Sequence, residues 1–289
     1  MRMIDISHHN SITLDASLEH YDGVIVRAYY GNKYTQIDKK FNAHMEQLGK
    51  LAGEKKYIPY ALYFYSYAAD TDYAYQEASR MKDFLDTAIK KAGYPPFCIF
   101  GDYEEFTIRN SGNVTAIMEK SLNTLNDIAI EFNIDYGMYC SQSWINLINM
   151  SSFSHSGSVQ WIARWSEKKP NVPYDIWQYT SRYILNGSRV DMSLVSESYK
   201  KAILNFYRNE HNITLACDSN APTVPSPDVP STGCDDTGRN EMFLSDESID
   251  ILAGLLSESL KKWVKIVTDR TGYIDTDMVM ENGMDNNTQ

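Results

Sequence analysis

Short apolar runs alternate with longer amphipathic segments along the first 210 residues of the chain. Apolar residues that recur about every 3.6 positions predict helices, over 38–53, 70–92, 113–132 and 193–207, with a shorter one over 143–149. The apolar and aromatic runs between them predict eight β-strands, over 3–7, 23–28, 58–65, 97–103, 135–139, 159–163, 174–178 and 189–191.

Strands that alternate with helices pair in parallel and are covered by those helices. Eight such strands predict an α/β fold, an irregular TIM-like βα barrel with about eight strands and fewer helices. The last strands lie too close together in the sequence for a crossover helix between each pair. We therefore expect them to be less covered by helices, and antiparallel pairing is open to them.

The chain changes character beyond residue 210. Residues 221–234 contain four prolines among Ser, Thr and Asp, a composition that buries little apolar area and predicts an extended linker. Apolar residues then recur at helical spacing over 249–267, which predicts one amphipathic helix. We therefore divide the chain into a barrel over 1–210, a Pro/Ser/Thr-rich linker over 211–240 and a small C-terminal domain over 241–289.

The apolar stripe of this tail helix needs a covering partner. It either packs on the rest of the tail, or joins two copies into a homo-oligomer, or attaches the protein to a cell surface. Cys217 and Cys234 lie on either side of the four prolines of the linker. A loop-closing disulfide between them is one interpretation and two free thiols are the other.

Charge narrows the possible partners. The formal net charge is −11, and residues 211–289 alone hold 14 acidic and 5 basic side chains. Nucleic-acid-binding proteins carry basic patches, so no nucleic-acid partner is expected. No apolar run approaches the roughly 18 residues of a membrane span, so membrane insertion is not expected either. The first residues are typical of a strand rather than a secretory signal.

Acidic residues stand at the ends of three predicted strands: Asp5, the Asp102–Tyr103–Glu104 run, and Asp191. Residues at i and i+2 of a strand project to the same face, about 6.5 Å apart. Glycoside hydrolysis uses such a pair of carboxyl groups, one to protonate the leaving oxygen and one to support the positive centre. The alternative interpretation is a solvated strand end.

Aromatic residues are abundant in the same segments. Tyr63, Tyr65 and Tyr67 share one face of a predicted strand, and Trp161, Trp165 and Trp177 follow later. Aromatic rings with polar tips suit sugars, whose faces are apolar and whose rims form hydrogen bonds. Core packing is the alternative role of such a stripe.

Other chemistry finds little support in the sequence. His8 and His9 are neighbours that point to opposite faces of a strand, and no third ligand at zinc-like spacing accompanies them. Glycine-rich phosphate loops and nucleophile-elbow motifs are absent. We therefore expect neither a metal nor a cofactor.

Five segments resemble glycoside hydrolase family 25, the muramidases (lysozymes) that include many phage endolysins. They are Ile4–Ser7 with Asn10, Val24–Ala28 with Gly31, Tyr63–Ala68, Asp102–Glu104, and a closing run made of Trp161–Trp165, Ile176–Ser181 and Val190–Met192. These segments come in the family's order and extend over about 200 residues; the tail is not covered.

The resemblance implies a metal-free barrel that hydrolyses the β-1,4 bond between N-acetylmuramic acid and N-acetylglucosamine of peptidoglycan. Glu104 takes the family's general-acid role, and Asp102 stabilises the positive centre or orients the substrate's acetamido group. Asp5 and Asp191 match the other acids of the groove. The residues assigned to substrate binding on this basis are Tyr63, Tyr65, Trp161, Trp177 and Arg27.

Several positions depart from the family's pattern. Gly101 precedes the first acid where an apolar residue is more usual, Tyr103 fills the middle position, and Ser193 stands where Asn is common. Arg182 and Tyr183 replace a frequent glycine. All four acids remain, which favours an enzyme over a non-catalytic peptidoglycan-binding or virion attachment module on the same barrel.

These observations together predict a phage endolysin. We expect it to be made in the host cytoplasm without a signal peptide and to act on the cell wall after release. Secretion is the alternative, if a signal has been removed.

Overall fold

The computed structural model describes residues 1–15, 19–145, 147–149, 153–155 and 157–219. The predicted linker beyond residue 219, the tail helix and Cys234 lie outside the described residues. Cys217 has no disulfide partner among the residues that are described. The division at residues 210 and 240 therefore stays a prediction.

The described residues form a closed eight-stranded barrel, as predicted, with strand order β1-β2-β3-β4-β5-β6-β7-β8. The strands are β1 (Arg2–Ile6), β2 (Gly23–Tyr30), β3 (Tyr60–Tyr65), β4 (Cys98–Asp102), β5 (Asp135–Ser141), β6 (Val159–Ala163), β7 (Ile176–Leu185) and β8 (Ser188–Val195). Strands β1 to β7 pair in parallel, whereas β8 is antiparallel to both β7 and β1. The antiparallel pairing is thus confined to the strand that closes the barrel.

Helices cover the outside of the barrel mainly in its first half. They are α1 (Phe41–Gly53), α2 (Thr71–Ser79), α3 (Met81–Ala92), α4 (Phe106–Asn110), α5 (Val114–Phe132), α6 (Gln142–Ile145), α7 (Glu197–Asn205) and α8 (Ala216–Ser219), with a π-helical turn over Phe206–Glu210. None of the helices in the described part of the chain is both long and apolar enough to cross a bilayer.

The single helix predicted over 70–92 is wrong: the segment forms two helices that meet at Arg80. The backbone tightens there, since Arg80 N–H bonds to Glu77 O and Asp83 N–H to Arg80 O, each three residues back. The Arg80 side chain turns inward and donates to the Gly31 carbonyl oxygen. Burial of that side chain at the junction explains why periodicity alone did not indicate the break.

The helix predicted over 193–207 begins later, at Glu197, because β8 extends to Val195. Ser196 caps α7, its hydroxyl accepting from Tyr199 N–H. The longer β7 and β8 form a hairpin closed by Asn186 and Gly187, both with positive φ. An Asn-Gly pair favours this kind of two-residue turn.

Aromatic side chains fill the barrel interior. The Trp161 ring lies 4.4 Å from Tyr139, 5.4 Å from Phe100 and 5.9 Å from Tyr63, measured between ring centroids. The Trp161 indole N–H donates to the Ser193 hydroxyl at 3.1 Å. Ser193, one of the departures from the family pattern, therefore has a structural role as a buried acceptor for this ring.

Candidate active site

The predicted acids meet at one end of the barrel. Asp5 is the penultimate residue of β1, and its direct cross-strand partner on β8 is Asp191. Asp102 ends β4, between Tyr65 of β3 and Tyr139 of β5. Since β1 to β7 run parallel, these positions lie at the carboxyl-terminal rim, where catalytic residues of βα barrels are found.

A buried amide joins Asp5 to Asp191. Gln178 Nε2 donates to Asp5 Oδ2 at 3.1 Å and to Asp191 Oδ2 at 3.2 Å. Its Oε1 accepts from Tyr139 Oη–H at 2.9 Å and from Trp165 Nε1–H at 2.8 Å. Both amide hydrogens and both lone-pair directions of Gln178 are therefore used, which fixes its orientation. Gln178 lies within the Ile176–Ser181 segment of the family resemblance, which implied no role for it.

The Asp102 carboxyl is buried, and its Oδ1 has no hydrogen-bond partner among the described residues. Burial raises the pKa of Asp102 well above its usual value, and the nearby carboxylates of Glu104 and Asp5 raise it further. The Arg27 guanidinium acts in the opposite direction. An unpartnered buried carboxyl oxygen is available to a ligand.

Glu104 lies two residues after Asp102, beyond the end of β4, and is solvent-accessible. Tyr103 N–H still bonds to Tyr139 O, so the extended register continues past the strand end. The Tyr103 ring is buried and its hydroxyl bonds to Ser121. With Tyr103 turned into the fold, Asp102 and Glu104 take the same side of the chain, as the i, i+2 spacing predicts.

The acids titrate as a group. Desolvation in the groove raises the pKa of Glu104, helped by the charges of Asp191 and then Glu105. Burial raises the pKa of Asp191 to about 6. For Asp5, burial comes first and the Asp191 charge second, and both raise its pKa well above the usual value. Each of these carboxyl groups therefore holds its proton to a higher pH than a free carboxyl group does.

Gly101 and Tyr103, on either side of Asp102, are sterically linked. A Cβ atom added at Gly101 would lie 2.2 Å from the Tyr103 hydroxyl oxygen and 2.5 Å from Tyr103 Cζ. The Tyr103 ring thus occupies the space that a side chain at position 101 would need, so glycine at 101 allows the Tyr103 ring its present position.

The aromatic residues divide between rim and core. Tyr65 is half-buried, and its hydroxyl donates to Glu105 Oε2 at 3.0 Å. Tyr63 is buried against the Trp161 ring. Trp161 and Trp177 are only 1% and 3% exposed. The Trp161 ring packs inside the barrel, and the Trp177 indole N–H donates to Arg164 O at 2.8 Å. Their role in substrate binding stays a prediction.

Two other aromatic residues are exposed just past the ends of strands. Trp165, just past the end of β6, is 63% exposed, while its indole N–H is anchored on Gln178. Tyr67, just past the end of β3, is 37% exposed, and its ring lies 5.1 Å from that of Tyr65. Neither was among the predicted site residues. The signal that could have indicated both is an aromatic residue two positions beyond a strand's carboxyl end.

Arg27 is held by other groups. Its Nε donates to Asp38 Oδ2 at 2.9 Å, and its Nη2 lies 2.7 Å from His8 Nδ1. Arg27 still lowers the pKa of Asp102 by its charge. Within the residues that the structure describes, no group of three or more His, Cys, Asp or Glu side chains has metal-binding geometry; the His8 and His9 rings instead pack on each other.

A barrel with acids clustered at its carboxyl-terminal rim, beside exposed aromatic rings, is typical of enzymes that cleave glycosidic bonds. The family model for glycosyl hydrolases family 25 matches residues 4–188. The chain belongs to that family and is a glycoside hydrolase. A comparison with curated proteins finds no matching sequence.

Solved structures share the fold. The CTP1L endolysin is similar with a TM-score of 0.54 and 22% identity, over 70% of this chain and 68% of that one. The spore cortex lytic enzyme SleM of Clostridium perfringens gives 0.53 and 17%, over 69% and 68%. The modular autolysin LytC of Streptococcus pneumoniae, solved with a synthetic peptidoglycan ligand, gives 0.52 and 25%, over 66% of this chain and 46% of its own.

Proposed function

We propose that this peptidoglycan hydrolase is a muramidase, which cuts the β-1,4 bond between N-acetylmuramic acid and N-acetylglucosamine. The observation that carries the proposal is the meeting of Asp5, Asp102, Glu104 and Asp191 at one rim, with raised pKa values. Membership of glycosyl hydrolases family 25 and the likeness to LytC support the same wall substrate.

In the proposed reaction Glu104 donates its proton to the glycosidic oxygen, and the bond from that oxygen to C1 breaks. Ionised carboxylates stabilise the oxocarbenium-like charge. Water then adds to C1, and its proton returns to Glu104. We assign Asp102 to the positive centre or to the acetamido group beside it, and Asp5 and Asp191 to the electrostatics of the groove.

The glycan would lie along the exposed rings. Tyr65 and Trp165 offer partly or largely accessible aromatic faces beside the acids, and Tyr63 contributes the floor. Arg27 stays among the proposed substrate contacts, at the side of Asp102. Aromatic faces of this kind stack on the apolar faces of sugar rings.

Mass analysis of fragments released from purified peptidoglycan tests the proposal. N-acetylmuramic acid at the new reducing end is the expected product, and N-acetylglucosamine there would contradict it. Glu104→Gln should lower the rate by about 10² to 10⁴. Glu131→Gln is the matched control, because Glu131 is an exposed carboxylate paired with Lys82 on the outer helices. A fully active Glu104→Gln variant would remove the acid assignment. Retained wall binding without any cleavage by wild type would favour the non-catalytic alternative.

We further propose that the enzyme is a phage endolysin, and that residues 241–289 direct it to the wall or join two copies. Deletion of residues 220–289 should reduce sedimentation with cell walls or shift the elution volume in size-exclusion chromatography by more than the lost mass. An unchanged result in both would exclude both roles for the tail. Lysis of a bacterial host only when a membrane-permeabilising protein is co-expressed is expected of an endolysin.

A further inference from the structure

A buried carboxyl group that the proposed mechanism does not use lies beneath the rim. Glu77, on the second turn of α2, is fully buried. Its Oε1 accepts from Tyr67 N–H at 2.7 Å, and its Oε2 accepts from Ser66 Oγ–H at 2.5 Å. Both oxygens therefore bind the short segment of residues 66–68 that follows β3, which we call the β3 strap.

The β3 strap connects directly to the acid cluster. Ser66 N–H donates to Asp102 O at 2.9 Å, and Gly31 N–H donates to Tyr65 O at 3.0 Å. The strap also carries Tyr67, whose exposed ring packs at the edge of Tyr65. Glu77 thus holds the strap through its buried side, while the Tyr67 ring on the same strap is exposed.

The groups around Glu77 only partly offset the cost of burying its carboxylate. Burial raises the pKa of Glu77 to about 7, against the opposing effects of its hydrogen bonds and of the Arg80 charge. The charge of Glu77 in turn raises the pKa values of Tyr29, Tyr103 and Tyr73. A leucine would fill the same space without the desolvation penalty of a carboxylate. We therefore attribute the presence of a carboxyl group at this position to its two hydrogen bonds with the strap.

We propose that Glu77 is a positioning residue for glycan binding, which fixes the β3 strap and so holds the Tyr67 ring at the wall of the groove. This inference rests on the proposed function. Glu77 does not touch the substrate; it acts through Ser66 and Tyr67. The sugar contact it supports is the apolar face of one pyranose ring on the Tyr67 side of the acids.

The test separates substrate binding from chemistry. Glu77→Leu should raise KM on soluble peptidoglycan fragments about fivefold to tenfold, the equivalent of one lost contact of about 1 kcal/mol, with kcat within twofold. Tyr67→Ala should give the same split. The double variant should have a KM no higher than that of the more impaired single variant, because both changes remove the same contact. Glu77→Gln, which can accept from Tyr67 N–H and donate to Ser66, should restore a near wild-type KM.

One control variant and one substitute variant complete the test. Tyr75→Ala truncates a half-exposed ring on the outer face of the same helix, and KM should not change. Ser66→Ala removes one bond to Glu77 and carries the test if Glu77→Leu does not fold; a smaller rise in KM is expected. Unchanged KM in the folded strap variants, a loss confined to kcat, or additive effects in the double variant would each overturn the proposal.

Failure of the proposed function gives a different pattern. If wild type cuts no peptidoglycan, the comparison is made by co-sedimentation with insoluble walls. Weaker binding by Tyr67→Ala and Glu77→Leu than by wild type would then support the positioning role by itself. Equal binding by all three would overturn it.

Discussion

Replacement of Gln178 by leucine should change the pH dependence of the enzyme. The amide donates to Asp5 at 3.1 Å and to Asp191 at 3.2 Å, and these bonds favour the ionised carboxylates. A hydrogen bond to a charged group contributes about 1.5–3 kcal/mol, and 1.36 kcal/mol corresponds to one pKa unit. Because both carboxyl groups are only partly buried, water replaces part of each bond. We therefore expect the apparent pKa of the pair to rise by about one unit.

The assay is the pH profile of kcat/KM for release of reducing ends from peptidoglycan. Ionisation of the Asp5–Asp191 pair should set the acid limb of the wild-type profile, since burial raises the pKa of Asp191 to about 6. In Gln178→Leu that limb should move to higher pH, while the alkaline limb, set by Glu104, should move little. The pH range of high activity should therefore become narrower, through a loss of activity at its acidic end. An acid limb that stays in place, or moves to lower pH, would refute the role assigned to this amide.

Gln160→Leu is the matched control. Gln160 is equally an interior glutamine, but its Nε2 donates to Ser158 O at 2.9 Å, away from the acids. Each replacement leaves buried polar groups without a partner, which costs about 1–3 kcal/mol. Both variants should therefore unfold at lower temperature, by about 2–4 °C per kcal/mol for a domain of this size. Only Gln178→Leu should alter the pH profile.

Three further outcomes are expected. Gly101→Ala should destabilise the fold by about 1–3 kcal/mol in chemical denaturation, because the new Cβ collides with the Tyr103 ring. Adding Tyr103→Leu to Gly101→Ala should restore part of the lost stability. Additive losses in this double variant would contradict the steric link between the two positions. Trp165→Ala should raise KM about fivefold with little change in melting temperature, since the ring is largely exposed; Ile184→Ala, at another exposed apolar side chain, is its control. Asp102→Asn should lower kcat by at least tenfold and leave the melting temperature equal or higher, because burial disfavours the charged form of Asp102; a loss of melting temperature would count against this account.

Much of the barrel could be predicted because strand and helix periods differ. Each of the eight strands overlaps an apolar run that predicts it. The ends of β7 and β8 were missed since their hairpin projects beyond the barrel core, and residues such as Ile184 are exposed there. The break at Arg80 was missed because both flanking segments keep helical periodicity.

Asp5, Asp102 and Glu104 could also be predicted, since they stand at or just past the end of an apolar strand. Asp191 instead lies inside β8, where it pairs with Asp5 of β1, so the strand end predicted at Asp191 is wrong. Which aromatic residues are exposed at the rim could not be predicted. Every residue of β6 is buried, because one face fills the barrel and the other is covered from outside. Alternation is lost in such a strand, so Trp161 in the barrel interior and Trp165 at the rim look alike in sequence. Gln178 was overlooked because its importance lies in partners from β1, β5 and β8 that are distant along the chain.

The energetics of the acid cluster favour an enzyme over a barrel that merely binds glycans. The pKa values of Asp5, Asp102, Glu104 and Asp191 are all raised, chiefly by burial. The native state therefore holds these protons more tightly than the unfolded chain. The resulting stabilisation is present at acidic pH and is lost as the pH rises through the folded-state pKa values. A groove for neutral sugars could use amides and hydroxyls and avoid that loss. A general acid cannot, because it must keep its proton at a pH where a neighbouring carboxylate is already ionised.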